Sequence, residues 1–473
     1  MTDKNHCKFK VGMVSLGCPK NLVDSEAMLG ILVRDGFEVT PDADAADVII
    51  VNTCAFIGDA KEESISEILE MAEKKKQGHC KTLIVTGCLA ERYAESFAKE
   101  LPEVDAVLGT GEYGRVSDVI RRQMQNVPTA EFTHKKIFEY SKEERLSHLR
   151  SPRILTTGGG YAYVKIAEGC DNHCSYCVIP SLRGGYASRE IKEIIGELRD
   201  ITSDRPKEII LVAQDTTRFG KDTYGEYKLC ELLEEAVGIK NVKWIRLLYC
   251  YPDLIDDRLM RAISLNGKVV KYLDVPIQHA SSNMLKAMGR RYDGTQLREL
   301  VFRLREQIPG IVLRTTLLTG FPGETEDDFE RLKDFVEEIK FERLGVFAYS
   351  REEGTPAAAM RKQVSSRVAA KRRMEILKVQ QRITSDKEKA RVGQVYEAIV
   401  DMPSSEYGKC KADMGLPTAR FCYGVRTYAE APGIDGHIIL RTEKLFSVGD
   451  FLPLKVMGID NNVLWGVPDD EHS

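Results

Sequence analysis

Three cysteines in one short loop constrain this chain of 473 residues more than any other feature. Cys170, Cys174 and Cys177 lie within eight positions, directly after the apolar, strand-like residues 161–166. Thiolates at this spacing can hold three irons of a cubane iron–sulfur cluster, which normally takes four Cys ligands. Because the fourth iron would keep an open position, the motif indicates a site that binds a further molecule rather than a closed structural centre.

A zinc knuckle is the alternative for these thiols. Such a site needs a fourth Cys or His at ligand spacing, and none follows Cys177. The pattern therefore favours an iron–sulfur cluster. Asn172 and His173, inside the loop, are expected to satisfy its backbone groups rather than to ligate iron.

The composition is typical of a soluble protein with more than one core. A chain this long favours about two to four domains, and 43% hydrophobic with 30% charged residues is ordinary for a globular protein. Neither an apolar leader nor a run of about 18 apolar residues occurs, so a cytoplasmic location without a membrane span is expected. The 12 cysteines are then expected to be metal ligands or buried thiols.

The order of predicted elements indicates an α/β protein in three parts. Residues 8–128 alternate strands and helices, which favours a parallel sheet. A polar linker is predicted over 129–158. Residues 159–392 contain six βα units and a trailing surface helix over 364–391, which suit a partial (βα)6 barrel whose active site lies at the carboxyl ends of its strands. Short strands over 395–468 indicate a small antiparallel β-barrel.

A second set of cysteines shares one context. Cys18, Cys54 and Cys88 each follow a predicted strand and begin a loop into a helix. In an open α/β sheet such strand ends meet at one crevice, where helix amino termini favour negative charge. These thiols could hold a second cluster, although any one of them could be an ordinary buried cysteine. The remaining cysteines show no pattern and are expected to be packing thiols: Cys7, Cys80, Cys230, Cys250, Cys410 and Cys422.

Longer motifs resemble the methylthiotransferases of the radical S-adenosylmethionine (SAM) superfamily over nearly the whole chain. They are Ser15-Leu-Gly-Cys-Pro-Lys-Asn-Leu-Val-Asp-Ser-Glu26, Glu168-Gly-Cys-Asp-Asn-His-Cys-Ser-Tyr-Cys177, Gly320-Phe-Pro-Gly-Glu-Thr325 and Phe347-Ala-Tyr-Ser-Arg-Glu-Glu-Gly-Thr-Pro356. The resemblance implies an amino-terminal cluster domain, a central radical SAM barrel and a carboxyl-terminal TRAM barrel. It also implies two [4Fe–4S] clusters, one on each cysteine set, with SAM bound at the set in the 170–177 loop.

The family has two branches with different substrates. Cys18-Pro-Lys-Asn-Leu22 is similar to the protein-modifying, RimO-like branch, whereas the tRNA-modifying, MiaB-like branch tends to have Cys-Gln-Met-Asn. Residues 349–356 and 429–436 favour the same branch, although Gly433 stands where Glu is common. The resemblance then implies methylthiolation of the β-carbon of an aspartate in small-subunit ribosomal protein twelve. A tRNA adenosine methylthiotransferase is the alternative.

Charge gives a separate argument about the partner. Residues 395–473 carry twelve Asp and Glu against seven Lys and Arg, and the whole chain has a net charge of −4. A barrel that binds RNA should be basic, because phosphate neutralisation dominates affinity. An acidic barrel suits a basic ribosomal protein, although the acidic residues could also serve solubility alone. tRNA is therefore disfavoured as a substrate.

Side chains for SAM are predicted from the resemblance and from strand ends. Tyr176 is expected by the adenine, although it could instead pack into the barrel. A turn with Gly320 is expected to let the backbone approach the nucleotide. Ribose and carboxylate contacts are expected from strand-end polar residues, each of which could instead be an ordinary residue of the barrel interior: Gln214, Asp215, Gln278 and Arg314. His279 is expected to be structural.

The cofactors are expected to carry the difficult step, because no general base readily removes hydrogen from an unactivated C–H bond. No catalytic side chain beyond the cluster ligands is predicted. An external electron donor and a monomeric enzyme are expected. A binding module that uses iron–sulfur centres only as folding staples is a separate hypothesis.

Overall fold

The computed structural model describes residues 9–124, 140–407 and 419–471. Within these ranges the chain forms two parallel sheets, a closed barrel and one small antiparallel strand pair. None of the described helices combines the length and the apolar character needed to cross a bilayer.

The first sheet is wholly parallel, as the alternation of elements predicts. Its strand order is β2-β1-β3-β4-β5. The central strands β3 and β4 are buried at every position, which is typical of a sheet covered by helices on both faces. The two short edge strands, β2 and β5, are too brief to show a period in the sequence. The elements are β1 (Lys10–Ser15), α1 (Pro19–Arg34), β2 (Glu38–Val39), β3 (Val48–Thr53), α2 (Gly58–Gln77), β4 (Thr82–Gly87), α3 (Cys88–Glu100), β5 (Ala106–Leu108) and α4 (Val116–Met124).

The described part of the predicted linker is not extended chain. It contains helix α5 (Lys142–Leu146), which a capping box at Ser141 begins, and a 3-10 turn over Ser147–Arg150. Leu146 and Leu149 are buried in one core cluster with Val23 and Ala27 of α1. Their apolar burial is the reason that this polar stretch folds against the first domain.

Six parallel strands form the central sheet, in the order β13-β12-β11-β10-β9-β6, which confirms the predicted partial barrel. Each strand lies beside its neighbour in the chain, as consecutive βα units require. The short strands β7 and β8 pair with each other outside this sheet. The strands are β6 (Tyr161–Lys165), β7 (Ala167–Glu168), β8 (Ala187–Ser188), β9 (Lys207–Val212), β10 (Val242–Leu247), β11 (Val269–Asp274), β12 (Val312–Thr319) and β13 (Arg343–Ala348).

Ten helices connect or cover these strands in the described chain. They are α6 (Ile179–Arg183), α7 (Ile191–Ile201), α8 (Lys221–Tyr224), α9 (Leu229–Val237), α10 (Asp257–Leu265), α11 (Ser282–Ala287), α12 (Gly294–Gln307), α13 (Glu326–Ile339), α14 (Pro356–Ala359) and α15 (Ser366–Lys389). The long helix α15 is not simply a surface helix. It buries residues three or four positions apart, namely Ala369, Arg372, Ile376, Val379 and Ile383, and thereby covers the edge of the central sheet.

The carboxyl-terminal strands close into a five-stranded barrel. All its pairings are antiparallel except that of β16 with β18. This barrel docks against the central sheet where Trp244 packs edge-on to Phe451, with ring centroids 5.1 Å apart. Its elements are β14 (Val395–Met402), α16 (Ser404–Tyr407), β15 (Phe421–Thr427), β16 (Ile438–Thr442), β17 (Phe451–Asp460) and β18 (Val463–Pro468).

Candidate active site with two cysteine trios

Cys18, Cys54 and Cys88 follow three neighbouring strands of the first sheet; we call them the amino-terminal trio. Cys18 is the N-cap of α1, Cys54 comes directly after β3, and Cys88 begins α3. The strands β1, β3 and β4 pair in parallel register, so their carboxyl ends lie side by side. The structure therefore brings together three thiols that are far apart in the sequence.

Gly17 allows the closest of these approaches. Its φ of +88° is in the left-handed region, and a Cβ at this position would lie 2.7 Å from the Cys54 Cβ. A side chain would thus push the Cys18 loop away from Cys54. Glycine before Cys18 is required by the packing of one trio member against another.

Within the amino-terminal trio, the charge of one member shifts the pKa of another. Burial, together with the negative charges of Cys88 and Cys18, raises the pKa of Cys54 to about 12. Burial likewise raises the pKa of Cys88, while the positive charge of the Arg183 guanidinium lowers it. Without a metal these thiols stay protonated, so a cationic iron cluster would supply the charge that makes them thiolates.

Cys170, Cys174 and Cys177 share the loop after β7; we call them the loop trio. The Cys170 N–H donates to Gly184 O at 3.1 Å and the Cys177 N–H to Cys174 O at 3.0 Å, which turns the loop back on itself. Burial raises the pKa of Cys170 to about 11 and that of Cys177 to about 12, and in both cases the neighbouring thiolates add to the shift.

The donor atoms present fit iron–sulfur clusters better than a single ion. Within the described ranges, no three His, Cys, Asp or Glu side chains converge closely enough to hold one metal ion. A cubane of four irons spreads its thiolate ligands more widely than one ion does. Each trio offers three free thiols, which leaves one iron of a cubane without a protein ligand.

One arginine joins the two trios. The Arg183 side chain, at the end of the helix that follows the loop trio, donates from Nε to Cys88 Sγ at 3.3 Å. Its Nη1 donates to Asp24 at 2.7 Å and to Glu168 at 3.1 Å. Glu168 is two positions before Cys170, and Asp24 is in α1 behind Cys18. These contacts tie Cys88 of the amino-terminal trio to Glu168, which precedes the loop trio.

A buried charge network lies beneath both trios. Lys165 contacts Asp24 and donates to Glu168 at 2.6 Å, and all three residues are at most 3% exposed. Burial alone would raise the pKa of both carboxyls, but Lys165 and Arg183 outweigh it, so the pKa of Asp24 is lowered and that of Glu168 falls to about 2. Burial lowers the pKa of His148, whose neutral ring donates to Asp24 at 2.8 Å.

A second ion-pair group holds the two domains together at the rim. Glu352, in the loop after β13, accepts from Lys61 at 2.9 Å and from Arg92 at 2.7 Å. Lys61 belongs to α2 and Arg92 to α3, so both come from the amino-terminal domain. The Ser350 hydroxyl also accepts from the Gly58 N–H at 3.4 Å.

Lys20 extends from the amino-terminal domain onto the central barrel. Its ammonium lies 3.2 Å from the centroid of the Tyr249 ring, just past the carboxyl end of β10. Burial lowers the pKa of Lys20, while the negative charge of the Cys18 thiolate raises it. Burial also raises the pKa of Tyr249.

The predicted SAM contacts fall into different environments. Tyr176 packs against the cluster of Met284, Met288 and Phe321, and its hydroxyl accepts from Arg290 at 2.6 Å. These contacts match the alternative of barrel packing. Its place before Cys177 still leaves the adenine contact a prediction.

Asp215 and Asn172 act on each other rather than on backbone groups. Asn172 donates to the Asp215 carboxylate at 2.7 Å and accepts from Arg291. The expectation that Asn172 satisfies loop backbone groups is therefore wrong, because its amide is used between side chains. Asp215 is fully buried and braces the loop trio.

Gln214 and Gln278 remain the stronger candidates for SAM. Gln214 donates to Glu168 at 2.6 Å, while its buried Oε1 has no hydrogen-bond partner among the described residues. Gln278 has a φ of +69°, which is unusual for a residue with a side chain. Its backbone N–H and its backbone C=O both form hydrogen bonds with β12. Strain of this kind is often retained at ligand sites.

Arg314 is not a strand-end residue, contrary to the prediction. It lies near the start of β12 and pairs with Asp274 at 3.0 Å and with Asp435 of the carboxyl-terminal barrel at 3.6 Å. Asp274 and Asp435 hold the Arg314 guanidinium between β11 and the carboxyl-terminal barrel, so Arg314 helps to dock that barrel. Its partners, Asp274 at the end of β11 and Asp435 of the carboxyl-terminal barrel, could not be inferred from the pattern of a single strand.

Gly320 is required by packing against a helix, and its approach to the nucleotide stays a prediction. Its φ is +76°, and a Cβ there would lie 2.2 Å from the Ala369 Cβ of α15.

His279 is fully buried, and its contacts are structural, as predicted. Its Nδ1 accepts from the N–H groups of Ala280 and Ser281, and its Nε2 lies 3.3 Å from Glu324.

The remaining cysteines divide into three groups. Cys80, Cys230 and Cys250 are buried free thiols, as predicted. Cys422 is buried but disulfide-bonded, so its prediction as a free packing thiol is wrong; burial alone does not exclude a partner. Cys7 and Cys410 lie outside the described residues.

Sequence analysis missed the charged residues around the trios. Lys165, Asp24 and Arg183 carry the buried network, and Lys20 lies at the domain junction. The available signals were Lys165, a charge within an otherwise apolar strand, and the place of Lys20 and Asp24 in the motif of residues 15–26. Arg183 and Asp24 stand in ordinary helical patterns, so only the packing of the two domains shows their role.

The fold and the site together define a radical SAM type of enzyme with an additional cysteine trio. Residues 164–336 match the Radical SAM superfamily, and residues 10–109 match the uncharacterized protein family UPF0004. A solved radical SAM methyltransferase, TsrM from Kitasatospora setae, superimposes with a TM-score of 0.56 at 16% identity, covering 74% of this chain and 77% of TsrM. At that identity the likeness shows the fold alone.

Similarity over the full length shows the family. A protein of Acetivibrio thermocellus named ribosomal protein uS12 methylthiotransferase RimO is 49% identical, over 98% of this chain and 100% of the relative. A protein of the same name from Trichlorobacter lovleyi is 47% identical, over 96% of each chain. The chain belongs to the RimO family of radical SAM methylthiotransferases. Its cofactors are accordingly SAM and [4Fe–4S] clusters.

Proposed function

We propose that this protein transfers a methylthio group to the β-carbon of an aspartate in ribosomal protein uS12. The observation that carries the proposal is the pair of thiol trios that Arg183 joins across the domain junction. The full-length relatives support uS12 as the substrate. A tRNA adenosine substrate, the alternative within the superfamily, is not favoured.

The ligands are proposed as the two trios themselves. Cys170, Cys174 and Cys177 would hold the cluster at which SAM binds, and Cys18, Cys54 and Cys88 would hold the second. When bound, SAM and the two clusters supply the radical that removes the hydrogen. They also supply the sulfur and the methyl group. Gln214 and Gln278 are the side chains that we propose for SAM contacts.

The protein side chains position the reacting groups and exclude water. Arg183 and Lys165 neutralise the two buried carboxylates beneath the trios, so these carboxylates need no water to offset their charge. The Glu352 contacts with Lys61 and Arg92 close the rim over the junction. Rigid, dry walls of this kind protect a reactive intermediate from side reactions.

The acidic carboxyl-terminal segment supports a basic protein partner. Its surplus of carboxylates would raise the encounter rate with a Lys- and Arg-rich ribosomal protein and would repel RNA. We further propose domain limits of 8–128, 159–392 and 395–468, with 129–158 between the first two. An external electron donor and a monomeric enzyme in the cytoplasm belong to the same proposal.

Mass spectrometry tests this function. The reconstituted enzyme, with SAM and reductant, is incubated separately with uS12 and with tRNA. We expect a gain of about 46 Da, the exchange of hydrogen for a methylthio group, on uS12. A gain on tRNA alone would reject the substrate. Formation of 5′-deoxyadenosine, and its loss in Cys174→Ala, separates the enzyme from the hypothesis of a binding module.

A further inference from the structure

Lys20 has a buried ammonium group to which no residue in the described part of the chain offers a carboxylate partner. The residue is 8% exposed, and its Nζ lies over the Tyr249 ring at 3.2 Å. Among the described residues it forms neither an ion pair nor a hydrogen bond. It stands two positions after Cys18, while Tyr249 follows a strand end of the radical barrel. The ammonium therefore lies where the two halves of the site face each other.

The carboxylates whose charges raise the pKa of Lys20, those of Asp274 and Glu168, are already paired with other groups. Asp274 accepts from Arg314 Nη1 at 3.0 Å and from the Tyr249 N–H at 3.0 Å. Glu168 accepts from Lys165 and Arg183 through one oxygen and from Gln214 through the other. A buried charge without a counter-ion is strongly unfavourable. The place is thus arranged for an anion that arrives from outside.

We propose that Lys20 binds the side-chain carboxylate of the substrate aspartate. The inference rests on the proposed function and names the group that recognises the substrate. In aspartate the carboxylate is bonded directly to the β-carbon, so a cation that holds the carboxylate also positions the carbon that reacts. That carbon has to reach both the SAM side and the sulfur side of the site, and Lys20, two positions after Cys18, contacts Tyr249 of the radical barrel.

Tyr249 has a positioning role in this arrangement. A cation over an aromatic face is attracted by the ring, and the ring limits where the ammonium can move. Its unusual φ of +61° places the side chain at the strand end. An adenine carries no anion at the carbon to be modified, so the same ammonium would not help a tRNA substrate.

A competing role for Lys20 is to balance the charge of the thiolates at Cys18. The two roles predict different results. Charge balance would change the iron content or the midpoint potential of the amino-terminal cluster, with no effect on the choice of substrate side chain. Carboxylate binding would change that choice and leave the iron content unchanged.

The test measures binding of uS12 and of a uS12 variant with the target Asp replaced by Asn. Dissociation constants are obtained by fluorescence anisotropy with the reconstituted, full-length enzyme. We expect the wild type to prefer the Asp form by about tenfold, as a charge-assisted hydrogen bond provides. Lys20→Met should reduce this preference to less than about twofold, Lys20→Arg should retain most of it, and Tyr249→Leu should weaken it.

Lys81→Met is the matched control. It removes the same charge from the same domain, at a side chain that is 64% exposed, and should leave the preference unchanged. A wild type without any Asp preference, or a Lys20→Met enzyme that keeps it, would overturn the inference. If the wild type methylthiolates uS12 while Lys20→Met keeps the preference, only this inference fails; if uS12 is not modified at all, the proposed function fails.

Discussion

Arg183 donates a hydrogen bond to Cys88 at 3.3 Å, although the two residues are 95 positions apart in the chain. Cys88 belongs to the amino-terminal trio, and Arg183 closes the helix after the loop trio. A guanidinium has five donors and keeps its charge when buried, so one side chain can serve a thiol and two carboxylates at once. Arg183 thereby links Cys88 to Glu168, two positions before the loop trio.

Replacing Arg183 should therefore damage stability and the site together. Arg183→Met leaves Asp24 and Glu168 buried with Lys165 as the main cation, and we expect the free energy of unfolding to fall by about 3–5 kcal/mol. Arg183→Lys keeps the charge but loses the forked geometry, so its loss should be smaller. Urea unfolding of both variants checks the order, and equal losses would contradict it.

Iron analysis should count the two trios separately. Two complete [4Fe–4S] clusters contain about eight irons, so Cys54→Ala and Cys174→Ala should each retain about four irons per chain. Cys174→Ala should abolish 5′-deoxyadenosine formation, whereas Cys54→Ala should retain it. Anaerobic iron and sulfide quantification is the measurement.

Cys230→Ala is the control for that experiment, because Cys230 is also a buried free thiol but lies on a helix away from both trios. It should keep about eight irons. Iron loss in Cys230→Ala comparable to that in the trio variants would mean that the assay reports folding rather than ligation.

Glu430 should make the docking of the carboxyl-terminal barrel sensitive to acid. It accepts from Arg391 at 2.5 Å and from Arg343 at 2.9 Å. Burial would raise the pKa of Glu430, but these two arginines lower it from 4.5 to about 2. A lowered pKa stabilises the fold fully above about pH 4.5, and this contribution is lost as the pH falls through about 2.

Glu430→Gln should consequently flatten the pH dependence. Between about pH 4.5 and 2, the wild type should lose up to about 1.4 kcal/mol more per pH unit than the variant. Trp244 lies against Phe451 at the docked surface, so tryptophan fluorescence can follow urea unfolding of iron-free protein at each pH. Parallel curves for the two proteins would show that Glu430 does not titrate in this way.

Two glycines of one turn should respond differently to alanine. At Gly320 a Cβ would lie 2.2 Å from Ala369 Cβ, and φ is +76°; at Gly323 φ is +87°, but nothing lies within 4 Å. Gly323→Ala should cost about 1 kcal/mol from backbone strain alone. Gly320→Ala should cost about 3 kcal/mol or more, because overpacking is added. Thermal unfolding and SAM titration of both variants would show whether Gly320 serves the helix contact, the cofactor, or both.

Local patterns were sufficient for the architecture and for the thiols. The alternation of strands and helices predicted both parallel sheets, because an apolar run of four to eight residues between helices has few other stable partners. Cys170, Cys174 and Cys177 were evident from their spacing alone. Cys18, Cys54 and Cys88 could be grouped because parallel strands place their carboxyl ends at one edge.

Side-chain partners across domains were decided only by the tertiary structure. Arg314 was expected at a strand end but lies near the start of β12, paired with Asp435 of another domain. Gly320 was assigned to a nucleotide, whereas Ala369 occupies the space beside it. The sequence by itself determined which elements form and which thiols are available, since these follow from short-range periodicity and spacing. Only the folded chain decided which charges are paired and that Lys20 has no counter-ion among the described residues, because burial and distance between remote residues are properties of packing.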